Sequence, residues 1–479
     1  MDDSAPDRKE AAKHGRKPPA GTGAAHPRHL SLEGVHSSVE VPHYQAGFWE
    51  HWRAFVGPAI LVSVGYMDPG NWGTDLQGGA QFKYGLLWVV ALASLMAIFM
   101  QIISARLGVV TGKDLAQCCR DWYPKWTRWP NWLTSEVAIG ACDLAEVLGS
   151  AVALNLMFHI PLLWAVIITG LDVLLLLALQ RFGMRTIEAV VLLLIVTIGV
   201  CYFIEIFVLP QTQPSFLEMG RALAAPHFRQ AGMLYVAIGI IGATVMPHNL
   251  YLHSALVQSR KLQKDEPSMR RAIQFNTIDS IAALTIAFFV NAAILVLAAM
   301  VFFGKESVTL SGGQVVKFSG DSDWIRIAYL TLAPLLGTAV ASTLFAVALL
   351  ASGQSSTITG TLAGQVVMEG FMHWRIKPWV RRLITRTLAI LPAVFIVGLR
   401  GESSVTDLLT LSQVVLALQL PFAMFPLLHF TSSRKRMGTW KNGWFLLIAG
   451  WASAILITTM DISGLPDSLK AAWQVIVGG

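Results

Sequence analysis

From residue 54 onward, stretches of about 20 predominantly apolar residues recur along the chain, and each is long enough to cross the hydrocarbon core of a bilayer as a helix. They fall near 54–80, 85–110, 132–158, 160–179, 186–209, 231–258, 278–303, 325–357, 384–400, 404–430 and 442–462, numbered here as spans 1 to 11. Composition agrees, with 54% hydrophobic and only 14% charged residues, where a soluble domain carries nearer a quarter charged. The chain reads as an all-α integral membrane protein of about 11 transmembrane helices. Its partner is then the lipid bilayer, and the net charge of +7 is a topology signal rather than a nucleic-acid footprint.

The loops test that count. With the N-terminus inside, the inner loops carry Lys113, Arg120, Lys125 and Arg128, then Arg181 and Arg185, then Arg260, Lys261, Lys264, Arg270 and Arg271. Arg375, Lys377, Arg381 and Arg382 follow, and finally Arg434, Lys435, Arg436 and Lys441. The outer loops hold few: Lys83, Arg221, Arg229, Lys305, Lys317 and Arg400. This alternation is what the positive-inside rule expects of an odd count, N-terminus cytoplasmic and C-terminus outside. Residues 1–50 are polar and Pro/Gly/Ala-rich, hold five of the 12 histidines with a sixth next to them at His51, and lack the apolar core of a signal peptide. They read as a disordered cytoplasmic tail. Cys118, Cys119, Cys142 and Cys201 show neither CxxC spacing nor disulfide density and read as free.

Span 1 contains an anomaly. "GYMDPGNWGTDL", residues 65–76, follows an apolar run yet holds a carboxylate, a proline and two glycines, which break a helix. Span 6 repeats the pattern in "VAIGIIGATVMPHNLYLHSAL", residues 236–256, with Met246-Pro247-His248-Asn249 at its centre. Five spans separate the breaks, so the second copy is inverted relative to the first. The boundaries expected are a first repeat at 51–209 (spans 1–5), a second at 231–430 (spans 6–10), and span 11 with the C-terminus at 442–479. Two ordinary proline kinks are the plain alternative. Paired interruptions in inverted repeats point instead to a transporter with its site at the midplane, since irregular backbone survives there only beside protein or a watery cavity.

Asp68 costs roughly 2.5–3.5 kcal/mol at mid-membrane on insertion scales, so a partner cation is expected. Asn71 adds a neutral oxygen, and unwinding at span 6 frees carbonyls around Ala243. Oxygen alone suits Mg²⁺ or Ca²⁺; the Met246 thioether shifts preference toward first-row transition ions and Cd²⁺. On spacing alone Met246 reads equally well as lipid-facing filler.

"GPAILVSVGYMDPGNWGTDL", "GATVMPHNLYLHSAL" and "ASGQSSTITGTLAGQVVMEGF" resemble the signature segments of the natural-resistance-associated macrophage protein (Nramp) family with its bacterial MntH-like members, over about residues 50–462. The resemblance implies a LeuT-like fold with an inverted 5+5 repeat and discontinuous helices 1 and 6. It implies import of Mn²⁺ and Fe²⁺, with Cd²⁺ and Co²⁺ accepted, together with H⁺. The family's metal ligands fall on Asp68, Asn71, the Ala243 carbonyl and Met246, and Gln413 matches a position implicated in closing round the metal.

Proton coupling needs titratable groups in a dry path. Glu136, Asp143 and Glu146 on span 3 are spaced seven and three apart and share one helical face. Acids inside a membrane mark proton relays or ion routes; a salt bridge to Arg381 or Arg382 is the structural alternative, and both can hold. The resemblance places Asp68, these acids and these arginines on the proton route. His248 and His253 titrate near neutrality and join as candidates, beside weaker polar ones in Asn276, Asp279 and Asn291. A sodium-coupled symporter of a small organic substrate is the rival within the architecture, but Asp68 would repel a substrate carboxylate. A Mg²⁺-transporting relative would alter the Met-containing motif. Neither a zinc-helix spacing nor a nucleophile elbow supports an enzyme. The chain has no N-x-S/T sequon, which favours a bacterial inner (plasma) membrane. No permanently bound cofactor is expected, and a monomer suffices.

Overall fold

The computed structural model describes residues 31–32, 36–171, 184–204, 206, 214–228, 230–263, 265–309, 315–317, 324–336, 339–374, 376–400 and 405–477. Residues 1–30 of the expected tail and 172–179 of expected span 4 lie outside them. Among the described residues, 8 helices are long and apolar enough to cross a membrane, covering spans 2, 3, 5, 6, 7, 9, 10 and 11. Spans 1 and 8 each depart from a simple apolar rod for a different reason, and of span 4 only the first part lies among the described residues.

Span 1 is two half-helices, Pro58–Gly65 and Pro69–Phe82. Each starts with proline in its first turn, where the missing N–H costs nothing and the fixed φ favours helix. The first start is tied down by Asp279 of span 7, whose Oδ2 accepts from Gly57 N at 3.3 Å and Ala59 N at 2.9 Å. Gly57 sits at φ 135, and a Cβ there would run into the Glu188 carboxylate, so glycine is required. The second start is capped by Asp68 itself, which accepts from Asn71 N at 2.8 Å. Span 6 divides in the same way into Met233–Val245 and Pro247–Leu256. Met246 stands alone between them at φ 37, ψ 103, strained backbone for a residue with a Cβ.

Span 4 is seen as a short apolar helix over Leu162–Leu171. Span 8 corrects the sequence reading: it runs over Ala339–Met372 rather than 325–357, and Trp324–Leu336 is a separate helix before it. Hydropathy misplaced it because its second half is rich in Ser and Thr. Those hydroxyls are satisfied inside the bundle, Ser355 Oγ on Ala351 O at 2.7 Å and Ser352 Oγ on Met67 O at 2.5 Å.

Helix packing carries the repeat. Span 1 packs on span 7 as span 6 does on span 2; span 3 packs on span 10 as span 8 does on span 5. Exchanging spans 1–5 with 6–10 turns each pair into the other. Outside the spans, Val39–Glu40 pairs in parallel with Arg260–Lys261, and a hairpin joins Ser307–Thr309 to Val315–Lys317. The last part of the expected tail is thus ordered, and it leads into a helix at Phe48–Phe55. Cys118, Cys119, Cys142 and Cys201 are all buried, and none is in a disulfide among the described residues.

Candidate metal site

The two breaks meet in the interior. Asp68, Asn71, Ala243, Met246 and Gln413 are each at most 1% exposed. Pro247 lacks the N–H that would otherwise close on the Ala243 carbonyl four residues back, so the carbonyl is left without its helical donor. Pro69 does the same for Gly65. Sequence reading missed Gly65, although a proline four residues on was the signal. The Met246 sulfur faces that same residue, since a Cβ on Gly65 would stand 3.1 Å from it. Asn249 Nδ2 lies 3.4 Å from the sulfur and 3.5 Å from Val62 O, bridging the two broken helices.

Span 10 closes the third side. The Gln413 amide lies over Gly70, where any Cβ would collide with it, and the Gln413 carbonyl sits against Gly242. Gln413 Nε2 donates to Ser412 Oγ at 2.9 Å, while its Oε1 and the Asn71 Oδ1 have no hydrogen-bond partner among the described residues. Buried acceptors left unpaired are costly, and a cation is what two amide oxygens beside a carboxylate can satisfy. Among the described residues no three His, Cys, Asp or Glu side chains gather as a metal cage. The donor set is instead one carboxylate, neutral oxygens and a thioether, which suits an ion held and released.

Each of the span 3 acids pairs with an arginine of span 9. Arg381 Nη2 reaches both Glu136 oxygens, at 3.0 and 2.8 Å. Arg382 pairs with Asp143 through Nη1 and with Glu146 Oε2 through Nη2 at 3.2 Å. Arg386 Nη1 lies 3.7 Å from the same Glu146 oxygen, and Ser356 and Thr357 of span 8 donate to Glu146 at 2.9 and 3.1 Å. The Cys142 thiol links Glu146 to the metal site, 3.8 Å from Asp68 Oδ2 and 3.7 Å from Glu146 Oε1. Arg386 was legible as the next turn after Arg382; Cys142 was not, because cysteine reads as apolar.

His253 stands elsewhere. His253 Nδ1 meets Gln101 Oε1 at 2.9 Å, Gln101 Nε2 donates to Tyr66 OH at 2.6 Å, and Tyr66 OH donates to Val245 O at 3.4 Å. That chain ends at the span 6 break without touching the acid stripe. His248 is buried beside the break with Nδ1 unpartnered among the described residues. Asn291 Nδ2 donates to Tyr66 O at 2.8 Å, placing it at the span 1 break, whereas Asn276 Nδ2 bonds its own helix at Ala272 O, 2.8 Å.

Comparison with known proteins gives a consistent picture. A family model described as "Natural resistance-associated macrophage protein-like" matches residues 59–465. A protein of Nostoc sp. named "Divalent metal cation transporter MntH" is 50% identical over 439 residues, 92% of this chain and 96% of that one. A Listeria monocytogenes protein of the same name is 48% identical over 432 residues, 90% and 93% of the two chains. The crystal structure of the Eremococcus coleocola manganese transporter superposes with TM-score 0.81 at 40% identity, covering 92% of this chain and 91% of that one. A nucleobase-cation-symport-1 family transporter, 13% identical with TM-score 0.53 over 92% and 95% of the chains, shares the fold alone. With its two discontinuous helices and exchangeable halves the chain has the LeuT-like architecture, and it belongs to the natural-resistance-associated macrophage protein family.

Proposed function

We propose that the chain is a proton-coupled importer of divalent transition metal ions, Mn²⁺ and Fe²⁺ first, with Cd²⁺ and Co²⁺ also carried. The observation that carries this reading is the donor set at the paired breaks: one buried carboxylate, Asp68, beside a methionine sulfur and the unpartnered Asn71 and Gln413 oxygens. A small organic substrate with its own carboxylate would be repelled there, and a Mg²⁺ site would gain nothing from sulfur. Protons leave or reach Asp68 along Cys142, Glu146, Asp143 and Glu136, with Arg381, Arg382 and Arg386 holding the acids in register. The halves at 51–209 and 231–430 move about the fixed site to give alternating access. The protein works as a monomer in the bacterial inner (plasma) membrane, its N-terminus cytoplasmic and its C-terminus outside.

Reconstituted vesicles test this directly. Wild-type protein takes up Mn²⁺ while the interior acidifies, and Asp68→Ala abolishes uptake of every divalent ion. Mn²⁺ uptake by Asp68→Ala at the wild-type rate would exclude the site.

A further inference from the structure

Asp75 is a second carboxylate buried in span 1, 1% exposed, and its Oδ2 has no hydrogen-bond partner among the described residues. No basic side chain is paired with it in the ion pairs of the described residues. It lies within Pro69–Phe82, four residues beyond Asn71 and seven beyond Asp68. On that helix the four-residue spacing makes Asn71 and Asp75 neighbours on one face, while Asp68 caps its start. The seven-residue step places Asp75 about 10 Å along the axis from Asp68, near enough for the two carboxylates to act on each other electrostatically. That face continues to Gly79, whose Cα is pressed against the Leu295 backbone carbonyl of span 7. One turn before Leu295 stands Asn291, whose Oδ1 is also without a partner among the described residues.

We propose that Asp75 and Asn71 form a second divalent-cation station on span 1, about two turns from Asp68, through which the metal passes on its way to the central site. The assignment rests on the metal-transport reading above. A dication keeping some of its waters supplies both the opposing charge and the donors that Asp75 Oδ2, Asn71 Oδ1 and Asn291 Oδ1 lack. Sharing Asn71 between the two sites makes them steps of one path. Repulsion between two dications at this separation means that they are filled in turn. Asp75, Asn71 and Asn291 offer only oxygen, so the station takes hard and borderline ions alike and leaves discrimination to Met246.

Two measurements test the station. Mn²⁺ titrated into purified Asp68→Ala protein, followed by Mn²⁺ electron paramagnetic resonance, retains one weak site; that site disappears in Asp68→Ala/Asp75→Asn. Absence of any bound Mn²⁺ in Asp68→Ala overturns the proposal, and this arm needs no substitution at Asp75. In vesicles, Asp75→Asn raises the Mn²⁺ concentration for half-maximal uptake on the order of tenfold while the maximal rate stays near wild type, as loss of a charge that concentrates counter-ions requires. Asp75→Glu restores the wild-type value. Asp75→Asn protein with an unchanged half-saturation concentration also overturns the proposal. Failure of the transport reading shows separately, as absence of Mn²⁺ uptake by the wild-type protein.

Discussion

Asp68 and Met246 divide the work of the site between charge and softness. On the function proposed above, Asp68 decides whether a dication binds, and Met246, held at φ 37 between two half-helices, decides which. Removing the sulfur costs Cd²⁺ most, Mn²⁺ modestly, and Mg²⁺ or Ca²⁺ nothing, because the last two prefer oxygen and water fills the gap. Met246→Ala is therefore expected to keep transport alive, lower Cd²⁺ uptake more than Mn²⁺ uptake, and admit Ca²⁺ or Mg²⁺. Excess Ca²⁺ or Mg²⁺ against trace Mn²⁺ in wild-type and mutant vesicles measures this. Equal resistance to competition in both would place discrimination elsewhere than this sulfur. At this scale the sequence was informative about residue type and silent about contact. It singled out Asp68, Asn71 and Met246 by their place at the breaks, but nothing in a lone cysteine within "IGACDLAEV" announces a thiol lying between two buried carboxylates.

The element that matters most is the broken helix, and its break is maintained by close approach as much as by proline. Gly70 has the Gln413 side-chain amide lying directly over its Cα, so the first turn of the second half-helix, right after the break, and span 10 meet with no room for a Cβ. Gly70→Val forces Gln413 out of the site and stiffens backbone that has to move. The expected protein is folded and membrane-inserted, with Mn²⁺ uptake reduced at least tenfold; monodisperse elution in detergent and vesicle uptake check the two halves of that statement. Normal uptake would mean the unwound segment does not need this clearance. Both breaks were legible because Pro and Gly punctuate a helix whatever surrounds them. Span 8 was displaced by more than ten residues because its Ser and Thr side chains mimic a loop in hydropathy. They are buried by hydrogen bonds to Glu146, to Met67 and to their own helix, partners that no window along the chain contains.

Coupling belongs to the whole molecule, since it depends on pairs that only the fold brings together. Arg382 and Glu146 are 236 residues apart in sequence, and the spacing of Glu136, Asp143 and Glu146 shows a shared face without showing what it faces. The structure supplies the missing half: span 9 brings three arginines to three acids, and one thiol joins Glu146 to Asp68. On the proposals made above, the metal route and the acid stripe meet at a single carboxylate and run along different helices, span 1 for the metal and span 3 for the proton. Separate routes can be cut separately. Asp143→Asn keeps the shape and an acceptor for Arg382, and Arg382 retains Glu146 as its counter-charge, so the buried pair is weakened rather than orphaned, which would cost about 3–5 kcal/mol. Mn²⁺ binding at Asp68 is expected to survive while acidification of the vesicle interior no longer accompanies Mn²⁺ uptake. The measurement is interior pH and Mn²⁺ flux in the same vesicles, with the Mn²⁺ affinity of the purified protein as control. Wild-type acidification persisting in Asp143→Asn would remove Asp143 from the proton route and leave the span 3–span 9 pairs a purely structural clamp.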